Sequence, residues 1–154
     1  MRTHMLQLFA DYHQFYLQDE AAAGDLSDAW SPEAVERMLA VAEGVVGCGT
    51  VRDMHVPVTL ELLDVEPSVE LDRFDHVVDG SLTIVRGPLV MAGCTDAFAD
   101  AARFEIAPGS YRIRLSAGGF DTLSEDGLEG EDHYRVQVWP GAAVAPVVLK
   151  QGAY

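Results

Sequence analysis

Alternation of apolar and polar residues is the strongest pattern along this chain. Tyr111, Ile113 and Leu115 alternate with two arginines, and a similar alternation runs through 56–62 and 134–138. A period of two is typical of a half-buried β-strand. The pattern predicts about eight short strands, at residues 6–18, 56–62, 69–78, 82–91 (one or two strands), 104–106, 111–115, 134–138 and 144–149.

One segment has a different period. Ser31 and Pro32 suit the N-cap and the first position of a helix. Apolar residues then follow at helical spacing, and glycines at 47 and 49 end the pattern. We therefore predict one α-helix over about 32–46, directly after the first strand.

Turn signals recur at short intervals, and helices do not alternate with strands. Asp79-Gly80 is one predicted turn, and Pro57 indicates an edge strand or a bulge because proline cannot donate to a ladder. The pattern predicts a mostly-β fold: a single-domain antiparallel β-sandwich covering 1–154, with a closed barrel as the alternative.

The charge of the chain argues against some classes of function. The chain has 154 residues, of which 25 are acidic and 10 basic, for a net charge of −15. Such a balance argues against direct nucleic-acid binding and against docking on an anionic membrane. No apolar run approaches membrane-spanning length, and residues 1–7 lack the pattern of a secretory signal. We therefore expect a cytoplasmic protein.

Catalytic and metal-binding motifs are not evident. Cys48 and Cys94 have no paired neighbours, so we expect two small buried thiols, with a disulfide as the alternative. His13 is interpreted as a structural histidine, with a general base as the alternative. Trp30 and Trp139 are expected to close the core, or else to form a binding hot spot. No nucleophile and base can be assembled, and we expect no enzyme, cofactor or metal site.

The stretch 121–132 carries six carboxylates and no basic residue. Three interpretations compete: a solvated loop, a calcium site, and a negative patch that attracts a basic partner. The spacing does not match an EF-hand. A second acidic stretch, the predicted loop at 18–29, could extend the patch.

Several features in order resemble one family. The run 11–15 reads DYHQF, an acidic segment leads to Trp30, and Glu33-Ala34 opens the predicted helix. A Phe-x-Ile-x-Pro-Gly-x-Tyr hairpin follows at 104–111, and then Asp-x-Tyr at 132–134. This order is similar to that of the competence protein J family, inhibitors of the DNA-entry nuclease of competent bacteria. The resemblance implies a small cytoplasmic inhibitor that binds a nuclease and is not an enzyme.

The chain departs from the family in its longer acidic loop and its Ala, Gly and Arg-rich composition, so a nuclease toxin or another basic protein fits equally well. The hypothesis is an acidic binding protein that occupies the basic cleft of a nuclease. A calcium- or small-ligand-binding sandwich is the alternative, and the oligomeric state stays open. Charge alone selects the partner-binding residues: Glu125, Asp126, Glu129, Glu131 and Asp132, with Asp25 and Asp28 secondary.

Overall fold

The structure is a computed structural model that describes residues 1–22 and 24–153. Ala23, in the predicted loop at 18–29, and Tyr154 lie outside the described residues. The mostly-β prediction is confirmed. In chain order the elements are β1 (Arg2–Phe9), β2 (Gln14–Asp19), α1 (Pro32–Arg37), β3 (Leu39–Ala42), β4 (Val45–Gly49), β5 (His55–Leu62), β6 (His76–Ile84), β7 (Leu89–Gly93), β8 (Ala102–Phe104), β9 (Gly109–Gly118), β10 (His133–Pro140) and β11 (Val147–Lys150).

The strands form two sheets. The six-stranded sheet has the order β1-β5-β10-β9-β6-β11, and the five-stranded sheet has the order β3-β4-β2-β7-β8. Pairing is antiparallel except between β5 and β10, which run parallel. The described residues thus contain eleven strands where about eight were predicted.

Both sheets contribute side chains to one hydrophobic core. Val58 and Leu60 of β5 and Ile113 of β9 enter it from the six-stranded sheet, and Leu17 of β2 enters it from the other. Phe15 meets Tyr134 across the core, edge to face, with ring centroids 6.2 Å apart. The alternation seen in β5, β9 and β10 therefore marks the faces that these strands bury.

The helix prediction over 32–46 was wrong beyond its first turns. Ser31 does cap α1, its hydroxyl oxygen accepting from the Ala34 N–H at 3.2 Å. The helix ends at Arg37 because Met38 adopts left-handed backbone angles, with φ +62°. Residues 39–49 then form the β3–β4 hairpin, which turns at Gly44 with φ +71°. Its strands are so evenly apolar that their residues also satisfy helical spacing.

The predicted first strand, 6–18, is two strands in different sheets. The chain passes from β1 to β2 through a short 3₁₀ turn at Asp11–His13, so α1 follows the second strand. Asp79-Gly80 is not a turn but lies inside β6, where Gly80 leaves room for Leu39 of the facing sheet. At Pro57 the strand β5 pairs with β1 alone, since its pairing with β10 begins at Val58.

Among the described residues, no helix has the length and apolar character needed to cross a membrane.

Candidate functional site

Residues 119–131, which form all but the last residue of the connection from β9 to β10, are called the acidic loop. Its five carboxylates are all exposed, and among the described residues none of them forms an ion pair: Asp121, Glu125, Asp126, Glu129 and Glu131. Four of these are predicted partner-binding residues. The structure therefore places them together on the surface with their charge unneutralised.

Hydrogen bonds within the acidic loop fix its shape. Asp126 accepts from the Ser124 hydroxyl at 2.6 Å and from the Leu128 N–H at 3.0 Å. The Ser124 bond, followed by the Leu128 bond, lowers the pKa of Asp126 below its ordinary value. At the base of the loop, the Glu131 N–H donates to Thr122 at 2.8 Å. The carboxylates are thus displayed on an ordered turn.

Asp132 does not belong to this surface, contrary to prediction. Its side chain is 0% exposed. It accepts from Arg52 Nε at 2.7 Å and from the Tyr134 hydroxyl at 2.7 Å. Burial and this bond to Asp132 raise the pKa of Tyr134, whose oxygen also accepts from the Val51 N–H at 2.9 Å. Asp132 therefore anchors the end of the acidic loop and is not free to contact a partner.

The second predicted acidic stretch lies on the other sheet. Asp25 and Asp28 are exposed on the connection from β2 to α1. This connection crosses the outer face of the five-stranded sheet, where Trp30 packs over Gly47, whose absent side chain makes room for the ring. The hydroxyl of Ser27 donates to Asp25 and lowers its pKa. The two acidic stretches are thus attached to different sheets.

Sequence reasoning missed a cleft on the same outer face. It has a volume of about 510 Å³ and a mostly apolar lining, which includes Tyr12, His13, Trp30, Val35, Met38 and Val51. Trp30 stands half-buried in the wall, its Nε1–H donating to Gln14 at 2.9 Å. Trp139, by contrast, is buried, with the guanidinium groups of Arg112 and Arg114 over its ring.

Three residues lining the cleft have an uncommon backbone conformation. Tyr12, His13 and Met38 all have positive φ, at 58°, 59° and 62°. Non-glycine residues seldom adopt this region, because the side chain crowds the backbone. Hydrogen bonds hold two of them in place: Thr50 N–H donates to the His13 carbonyl at 2.9 Å, and Gly49 N–H donates to the Met38 carbonyl at 2.9 Å. His13 Nδ1 also lies 3.2 Å from the Thr50 carbonyl oxygen, which fits the structural interpretation of this histidine.

The cleft and the acidic loop are neighbours. Val51 lines the cleft, and its N–H bonds to the Tyr134 hydroxyl. Tyr134 in turn holds Asp132, the residue that follows the acidic loop. A path of two hydrogen bonds therefore joins an apolar recess to a strongly negative loop.

Most of the positive charge is neutralised elsewhere. Within the described residues, six of the nine arginines pair with carboxylates, and Arg114 does so with two bonds to buried Asp79, at 2.7 and 2.9 Å. These pairs leave the acidic excess on the exposed loops.

The cysteines and the carboxylates offer little other chemistry. Cys48 is buried and Cys94 exposed, and both thiols are free, so the disulfide alternative is wrong and only one thiol is buried as expected. Burial raises the pKa of the Cys48 thiol. Within the described parts of the chain, no three or more His, Cys, Asp or Glu side chains are grouped to hold a metal ion.

The cleft bears on the small-ligand alternative. Its volume of about 510 Å³ and its mostly apolar lining are typical of sites that bind small ligands.

Fold and surface together define a class: small mostly-β domains of two sheets. Among solved structures, the fold is shared with ComJ from Bacillus subtilis, described as an inhibitor of the DNA-degrading activity of NucA. That match has a TM-score of 0.67 and 16% identity, and covers 92% of this chain and 96% of ComJ. A second structure, crocagin biosynthetic gene J, matches with a TM-score of 0.61 and 19% identity, over 92% of this chain and 100% of that one.

The resemblance to the competence protein J family is therefore confirmed at the level of the fold. No protein-family model matches the chain, and no curated protein matches it by sequence.

Proposed function

We propose that this chain is a non-enzymatic inhibitor of a nuclease. The observation that carries the proposal is the fold shared with ComJ, an inhibitor of a DNA-degrading enzyme, over 92% of the chain. The acidic loop is the surface that binds. A nuclease cleft is basic because it holds phosphates, and a row of ordered carboxylates can occupy it in their place.

The charge distribution supports this mechanism. The protein carries a net charge of −15, and the carboxylates of the acidic loop form no ion pair within the described chain. The Ser124 hydroxyl and the Leu128 N–H lower the pKa of Asp126, which favours its charged form. A negative surface interacts favourably with a basic partner. Because the loop is already ordered, it loses little conformational entropy on binding.

Neutralising the acidic loop tests the proposal. The variant Glu125→Gln/Asp126→Asn/Glu129→Gln/Glu131→Gln keeps the side-chain shapes and removes four charges. We expect its Kd for the nuclease to rise at least about tenfold at low salt, because four long-range attractions are lost. The remaining binding should depend less on salt. Calorimetric titration at two salt concentrations measures both effects.

A matched control removes four charges elsewhere. Glu43, Asp64, Glu66 and Glu105 are exposed and lie outside the acidic loop, in the β3–β4 turn, after β5 and after β8. The corresponding Gln and Asn variant has the same net charge as the loop variant. Because its acidic loop is intact, it should bind nearly as the unchanged protein does. Equal losses in both variants would show that net charge alone matters, and no loss in the loop variant would contradict the proposed surface.

A further inference from the structure

Binding through the acidic loop alone leaves the cleft beside it without a role. We propose that it receives a basic side chain of the partner nuclease, an arginine or a lysine, whose stem lies between Tyr12 and Trp30. This inference rests on the proposed function and adds an anchor to it. The acidic loop would attract the partner, and the cleft would fix its position.

The size and exposure of the cleft fit an inserted side chain. Its volume of about 510 Å³ lies in the range of sites that take small organic groups. Tyr12 is 70% exposed and Val35 54% exposed, although both are large apolar residues. Interface residues that carry most of the binding energy are enriched in tyrosine and tryptophan that line such recesses.

The charges on the segments that line the cleft favour a cation. Five exposed or half-buried carboxylates lie within two residues in sequence of its lining: Asp11, Asp28, Glu33, Glu36 and Asp53. The nearby arginines are engaged, Arg52 with Asp132 and Arg37 with the Leu39 carbonyl oxygen. An arginine or lysine would keep its charged end among these carboxylates while its stem contacts apolar surface. Aromatic faces add a cation–π attraction.

The walls are already in position. Trp30 is held by Gln14 and packs over Gly47, so its ring cannot swing into the recess without losing both contacts. The backbone at Tyr12, His13 and Met38 is kept in a sparsely populated conformation by the surrounding structure. Such strain accumulates at functional positions. Walls that are ordered before binding lose little freedom when a side chain enters.

Charge substitutions at Val35 distinguish a cation from an apolar occupant. Val35→Lys places a positive charge at the rim, and we expect it to weaken binding at least about tenfold, whereas Val35→Glu should preserve or strengthen binding. Val85→Lys is the matched control, because Val85 is 75% exposed and lies next to β6, where its N–H donates to Asp19. It should leave Kd nearly unchanged.

Tyr12→Asn removes the exposed ring while keeping a residue that tolerates positive φ. We expect at least about a tenfold loss of affinity for the nuclease, measured by titration, with an unchanged melting temperature. If both Val35 variants bind more weakly, the group that enters the cleft is apolar and the proposed cation is wrong. Unchanged binding by Tyr12→Asn and Val35→Lys would overturn the cleft as an anchor. Failure of the unchanged protein to bind any nuclease would instead contradict the proposed function itself.

Discussion

Buried carboxylates at single positions hold this fold together. Asp19, at the end of β2, is 1% exposed. It accepts backbone N–H groups of Val85 at 2.7 Å, Gly87 at 2.9 Å and Ala21 at 3.1 Å. Burial alone would raise the pKa of Asp19, but these bonds lower it below its ordinary value. One side chain thus ties the five-stranded sheet to the segment that follows β6.

Replacing Asp19 by alanine should lower the free energy of unfolding by about 3 kcal/mol, because several buried donors lose their acceptor. The lowered pKa means that this stabilisation is present above about pH 4 and is lost as the pH falls through the folded-state pKa. Urea unfolding at neutral and acidic pH measures both effects. Asp25→Ala is the control, since Asp25 is exposed and, among the described residues, bonds only to nearby Ser27. Equal stability of the two variants would refute the role given to Asp19.

At the scale of elements, the strands with clean alternation could be predicted and the connections could not. Val56 to Leu62 bury one face, and from Tyr111 to Leu115 the apolar side chains alternate into the core, so the sequence shows the period of both strands directly. The break between β1 and β2 depends on the left-handed backbone conformation of Tyr12 and His13. Glycine is the usual sequence signal for that conformation, and neither position is a glycine. The β3–β4 hairpin has a signal, Glu43-Gly44, but its apolar strands also fit a helix.

His76 links three elements and gives a pH-dependent test. It is buried at the start of β6, where its Nε2 lies 2.7 Å from the Arg37 carbonyl oxygen at the end of α1. Its Nδ1 accepts the Gly152 N–H at 2.9 Å, after β11. These partners require the neutral ring, and burial lowers the pKa of His76. A proton would place a second N–H against the Gly152 N–H.

Because burial lowers the pKa of folded His76 below the value of about 6.5 that the unfolded residue has, its contribution to stability falls as the pH drops below about 6.5. We expect the stability difference between the unchanged protein and His76→Gln to shrink from pH 7 to pH 5. Thermal melting at both pH values measures it, and the comparison cancels the other four histidines, which are shared. A difference that stays constant or grows would contradict the neutral role.

For the whole molecule, the acidic loop and the cleft differ in how far sequence could find them. The loop is contiguous, so its carboxylates were predictable, except that Asp132 is drawn inside by Arg52. The cleft combines segments near residues 12, 30–38 and 49–51. These segments come together only when β4 pairs with both β2 and β3. No linear motif records such a meeting. Trp30 and His13, both weighed as candidates in the sequence, were the signals that could have marked it.

The central claim is that this chain inhibits a nuclease by direct binding. The most direct measurement is a titration of DNA degradation by any nuclease encoded beside its gene, with NucA in parallel and excess Mg²⁺ to exclude chelation. We expect inhibition that saturates at a fixed stoichiometry and weakens as salt rises, with a complex on a sizing column. Unimpaired degradation by both nucleases and no complex would contradict the account, and would leave the likeness to ComJ as one of fold alone.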